Sequence, residues 1–76
     1  MLSAEVAVYP ENTNHGDDIV NRSIQSISDL GIDCQVDNMS TRLSGNEEQV
    51  WVGLRRMCQE VANQGEFSMV VTLTNH

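Results

Sequence analysis

The side chains able to do chemistry gather in two short stretches. Residues 2–10 carry Ser3, Glu5 and Tyr9, and residues 38–44 carry Ser40, Thr41, Arg42 and Ser44. Kept from water, a carboxylate at Glu5 accepts hydrogen bonds from an amino-heteroaromatic ligand or balances a cation, because a lower local dielectric strengthens both interactions. Set opposite Arg42 on a solvated sheet, the same Glu5 makes an ordinary cross-strand ion pair of about 0.2–1 kcal/mol. Nucleophilic catalysis has less support: His15 falls in a turn-rich segment and His76 is the final residue given, so neither is set beside a Ser or Cys for a relay. Residues 11–16 hold neither a cysteine pair suited to metal nor a Gly-rich phosphate loop with an Arg inside it. Cys34 and Cys58 lack CxxC spacing, which reads as two reduced, buried thiols and not a zinc site or a disulfide framework. The expectation is a protein that binds without catalysing, with no metal and no cofactor.

The elements that must position these groups follow from periodicity. Leu2, Ala4, Val6 and Val8 alternate with Ser3, Glu5, Ala7 and Tyr9, a period of two that suits a strand, and Pro10 closes it. Asn14 or Asp17 is the candidate cap of a first helix, in which Ile19, Val20, Ser23, Ile27 and Leu30 share a face before Gly31 stops it. Ile32, Cys34 and Val36 mark a second strand. Asp37 and Asn38 favour a tight turn, and Met39, Thr41 and Leu43 mark a third strand whose other side is Ser40, Arg42 and Ser44. Asn46 with Gln49 has the spacing of a capping box. Val50, Trp51, Leu54, Met57, Cys58, Val61 and Ala62 then form the broad face of a second helix ending at Gly65. A last strand spans 68–74, with Met69, Val71 and Leu73 on one side and Ser68, Val70, Thr72 and Thr74 on the other.

The order strand, helix, strand, strand, helix, strand predicts a ferredoxin-like α+β sandwich: a four-stranded antiparallel sheet with both helices on one face, as a single domain over 1–76. The first and third strands lie side by side in the middle, so Tyr9 approaches residues 38–41. The uncovered face then presents Ser3, Glu5, Ala7 and Tyr9 beside Ser40, Arg42 and Ser44, flanked by Val70, Thr72 and Thr74. Such a hydroxyl-rich face hydrogen-bonds well across a two-fold axis, so a homodimer or homotetramer through it is expected.

At 76 residues the chain is near the size where one core buries only about 60% of the unfolded surface, and association would help it. Eleven acidic residues against four arginines, with no lysine, give a formal net charge of −7, which argues against nucleic acid as a partner. No apolar run approaches the roughly 18 residues needed to cross a bilayer, so no membrane partner is expected, and with no secretory signal visible the expected location is the cytoplasm.

Two stretches carry a resemblance: Ser3-Ala4-Glu5-Val6-Ala7-Val8-Tyr9-Pro10, and Met39-Ser40-Thr41-Arg42-Leu43-Ser44-Gly45 leading to a helix with Arg55-Arg56 and on to Val70-Val71-Thr72. Together they resemble the small thiamine-binding, ferredoxin-like proteins of prokaryotes, long carried as a family of unknown function. The resemblance implies a noncatalytic, oligomeric domain that holds thiamine or its hydroxymethylpyrimidine portion. The implied pocket lies where Tyr9 meets Asn38, Met39, Ser40 and Thr41, with Glu5 as a further hydrogen-bonding group. Asn38 stands where that family commonly has Pro, Ser40 where it has Gly, Ser44 where it often has Glu, and Cys58 where a His often follows the basic pair. The alternative is a structural or regulatory oligomerisation module with no small-molecule ligand.

Overall fold

The computed structural model describes residues 1–37 and 40–75. Its elements are β1 (Leu2–Pro10), α1 (Gly16–Gln25), a 3₁₀ turn (Ser28–Leu30), β2 (Asp33–Val36), β3 (Thr41–Gly45), α2 (Glu47–Gln64) and β4 (Phe67–Asn75). The four strands form one antiparallel sheet in the order β2-β3-β1-β4. This is the ferredoxin-like α+β sandwich expected from the strand and helix order. No helix among the described residues is long and apolar enough to cross a membrane.

Register follows the alternation in the sequence. Ala4 pairs with Leu43 and Leu73, and Val6 with Thr41 and Val71, so the apolar side of β1 meets the apolar sides of both neighbours. Under it lies a core of Ala4, Val6, Ile27, Leu43, Val50, Leu54 and Met57. Gly53 lets α2 sit close to its neighbours, since a Cβ there would come within 2.9 Å of the Ile32 Cδ1 methyl. The expected capping box is present: the Asn46 side chain accepts from the Gln49 amide at 2.8 Å, and Gln49 Oε1 accepts from the Asn46 amide at 3.1 Å. Gln49 Nε2 also donates to the Leu30 carbonyl at 3.1 Å, tying the turn after α1 to the start of α2.

The first helix departs from expectation at both ends. Its N-cap is His15, without a side-chain cap, and not Asn14 or Asp17. The α-helix stops at Gln25 because the Ser23 and Ser26 hydroxyls donate to the Val20 and Ser23 carbonyls, each at 2.6 Å, and the chain tightens to 3₁₀. Gly31 still ends the segment in the left-handed conformation at φ 71°. The second helix shows a different exposure from that expected. Trp51 is 49% exposed and Cys58 is exposed, as is Cys34, because β2 and the outer flank of α2 are uncovered edges of the layers. The tight turn expected at Asp37 and Asn38 lies partly outside the described residues, though the Asp37 amide donates to the Ser40 carbonyl at 2.8 Å and extends the ladder by one rung.

Candidate functional site

At the end of the sheet where β1 and β2 finish and β3 begins, α1 stands off from the strands and leaves a cleft of about 380 Å³. Its apolar wall is Val6, Val8, Val20, Ile24 and Val36; the polar groups around it are Tyr9, Asp17, Asn21, Asp37, Ser40 and Thr41. The volume is at the small end of the roughly 300–1,000 Å³ typical of small-molecule sites, and the mixture of apolar wall and few polar groups is the usual one.

Each lining residue is there for a local reason. Val6 and Val8 project from the apolar side of β1, and Thr41, opposite Val6 and Val36, projects from the same side of β3. Thr41 is only 4% exposed, so it forms floor and not rim. Asp17, Asn21 and Ile24 recur at helical spacing along α1 and aim one flank of the helix at the cleft. Two carboxylates, Asp17 and Asp37, lie at the rim, and no Arg is among the described residues that line it. The local field therefore favours a cation or an amino-bearing group over an anion.

Of the residues expected to form a site, the structure brings Tyr9, Ser40 and Thr41 to this cleft. Asn38 and Met39 lie outside the described residues. Glu5 is elsewhere. By alternation it points to the uncovered face of the sheet, where its Oε2 accepts from Arg42 Nη2 at 3.1 Å, with both side chains more than half exposed. Glu5 and Thr41 thus lie on opposite sides of the sheet and cannot share one small ligand. The ion-pair reading of Glu5 is the one the structure shows. Around that pair Ser3, Thr72 and Thr74 line a shallow polar groove of about 340 Å³, and Ser3 Oγ and Ser44 Oγ are 3.2 Å apart.

Sequence reasoning missed Asp17, Asn21 and Asp37. The four-residue step from Asp17 to Asn21 was legible as one helix flank. Asp37 was assigned to a turn, and only the three-dimensional arrangement, which sets it beside Asp17 and Asn21 of α1 around one cleft, makes it a rim residue. Cys34, on the exposed β2 edge, has its thiol pushed above the ordinary value by partial burial.

No family model and no curated protein matches the chain. Solved structures do. A Thermotoga maritima protein proposed to act in thiamine biosynthesis or salvage superimposes with a TM-score of 0.84 at 16% identity, covering 99% of this chain and 83% of that one. A domain of unknown function from Bacillus cereus gives 0.84 at 19% identity, covering 99% and 75%. A Streptococcus pneumoniae protein gives 0.91 at 13% identity, covering 99% and 86%. What is shared at these identities is the fold, and this chain has the same ferredoxin-like α+β architecture as those three proteins.

Proposed function

We propose that the protein is a noncatalytic, cytoplasmic binder of thiamine or its hydroxymethylpyrimidine moiety, working as a homodimer or homotetramer. The observation that carries the reading is the small cleft with an apolar wall, hydroxyls at Ser40 and Thr41, and an acidic rim at Asp17 and Asp37. An aminopyrimidine needs an apolar wall for its ring and acceptors for its amino group; a thiazolium needs negative charge or a ring face, and Tyr9 lies beside the rim. A cation over such a ring gains about 0.5–2 kcal/mol, enough to tune affinity. The similarity in fold to a protein proposed to act in thiamine biosynthesis or salvage supports the same choice of ligand.

Calorimetric titration with thiamine and with hydroxymethylpyrimidine tests it. Saturable heat that weakens in Asp37→Asn is expected; no heat up to about 1 mM of either ligand refutes it. The second reading, an assembly module without ligand, is favoured by the uncovered sheet face, where the Glu5–Arg42 pair cancels its own charge among Ser3, Thr72 and Thr74. It predicts an oligomer by sedimentation that thiamine leaves unchanged and that Ser3→Arg dissociates.

A further inference from the structure

None of the chain's arginines lines the cleft. There are four of them and no lysine. Arg42 lies on the uncovered side of the sheet, paired with Glu5. Arg56 is held at the opposite pole by Asp29 and the Ser26 carbonyl. Arg55 belongs to α2, and no residue of that helix lines the cleft. Arg22 is on α1 but lines a separate hollow, with His15 and Gln64. Residues 38 and 39, which are Asn and Met, bear no charge. The N-terminal end of α1, whose amides would otherwise draw an anion, already has Asp17 and Asp18 in its first turn.

The negative groups stand where the outer end of a ligand must pass. Val20, Ile24 and Val36 form an apolar seat, and Val36 is 61% exposed, so a planar ring has an open wall to cover. Asp17 is on the α1 wall of the mouth and Asp37 is just past the end of β2, both exposed. A substituent that runs outward from the seated ring therefore passes two carboxylates. A phosphate ester carries about −1.5 to −2 charge at pH 7 and finds no arginine or lysine there to pair with. Bridging by a divalent cation is not provided for: the described residues contain no group of three or more His, Cys, Asp or Glu side chains able to hold one.

We infer that the cleft takes its ligand as the free alcohol and rejects the phosphate ester, with Asp17 and Asp37 as the residues that set this choice. The inference rests on the ligand reading above and adds a selectivity which that reading leaves open, since thiamine and hydroxymethylpyrimidine both end in a primary alcohol. The positive charge of thiamine works in the same direction, because the rim attracts the free form and repels the ester. Both carboxylates are exposed, so salt screens them within about 8–10 Å and the discrimination is a low-salt effect of roughly tenfold.

The test titrates the full chain with thiamine and with hydroxymethylpyrimidine, each beside its monophosphate ester, by calorimetry in the presence of a chelator, at low salt and at about 0.5 M salt. The free alcohol of at least one pair should bind, its ester should bind about tenfold more weakly or worse at low salt, and the gap should narrow at high salt. In the double variant Asp17→Asn with Asp37→Asn, at two exposed positions outside the core, the ratio between alcohol and ester should fall toward one. A merely structural loss lowers both forms together and leaves that ratio standing. An ester that binds as tightly as its alcohol at low salt, a ratio unchanged in the double variant, or ester binding restored by excess magnesium overturns the inference while the ligand reading stands. No heat from any of the four compounds ends the ligand reading itself, and the inference with it.

Discussion

Thr41→Val is the substitution that best separates holding the fold from holding a ligand. Thr41 is 4% exposed, opposite Val6 and Val36 on the helix side of the sheet, and lies in the floor of the cleft. Valine has nearly the same shape, so the change opens no cavity of the kind that makes large-to-small substitutions costly. No hydrogen bond to a described residue is shown for the hydroxyl. No buried side-chain oxygen among the described residues lacks a partner, so the hydroxyl meets the cleft and its removal should leave stability level or raise it by up to about 1 kcal/mol. For a domain of this size that is a melting temperature unchanged or higher by roughly 4–8 °C. Ligand binding should move the other way. Losing one neutral hydrogen bond of about 0.5–1.5 kcal/mol weakens affinity roughly two- to tenfold. The assay is thermal unfolding followed by circular dichroism, paired with calorimetric titration of thiamine on the same preparations. A melting temperature that falls by several degrees while affinity is unchanged would mean that the hydroxyl serves the fold, and the reasoning about the cleft floor would be refuted.

Asn46→Ala removes the cap whose side chain accepts from the Gln49 amide, and should cost about 0.5–2 kcal/mol, read as a lower midpoint in urea. Arg42→Ala breaks the exposed pair with Glu5 and should change stability by less than about 1 kcal/mol, an effect that shrinks further in high salt; a larger loss would show the pair to be shielded. Cys34 holds its proton more tightly folded than unfolded, so its contribution to stability is present below the ordinary thiol value of 9.0 and fades as pH climbs through the raised one. Alkylation of Cys34 in the Cys58→Ser variant should accordingly reach half its maximal rate at a higher pH in the folded chain than in urea.

Period-two alternation marked all four strands; for β1 and β3 one side lies on the helices, so a slip of one residue would reverse every side chain, whereas β2 shows the alternation although all of its residues are exposed. The second helix was legible for a similar reason: Val50, Leu54, Met57 and Val61 occupy the single face on which the core depends. Trp51 and Cys58 were misjudged because the apolar stripe is wider than the sheet it covers, and the sequence does not say how far α2 overhangs β1 and β4. The end of α1 was missed because two serine hydroxyls compete with the helix for carbonyls, a choice visible only once Ser23 is fully buried. The site was half legible. Alternation put Tyr9 at the end of β1 and Thr41 at the start of β3, but grouping Glu5 with Thr41 required them to share a side of the sheet, and their opposite parity rules that out. Asp17 and Asn21 come to the cleft through the packing of α1 against α2 and β1, a long-range arrangement that spacing alone does not encode.

The clasp made by Gln49 gives the molecule a stiff pole and a loose one. Gln49 grips Asn46 and Leu30, and Arg56 adds bonds to Asp29 at 2.7 Å and to the Ser26 carbonyl at 3.3 Å, so the turn after α1 is bolted to the second helix. At the opposite pole, where the cleft opens, the described ties between elements are the Glu11 amide to the Glu66 carbonyl at 2.9 Å and the exposed 3.3 Å contacts of Asn12 with Glu66 and Ser68 with Glu11, while the Thr13 hydroxyl accepts locally from the His15 amide. Breathing is cheapest where fastenings are few. A guest molecule would enter through the end that yields, while the far end keeps the strands aligned.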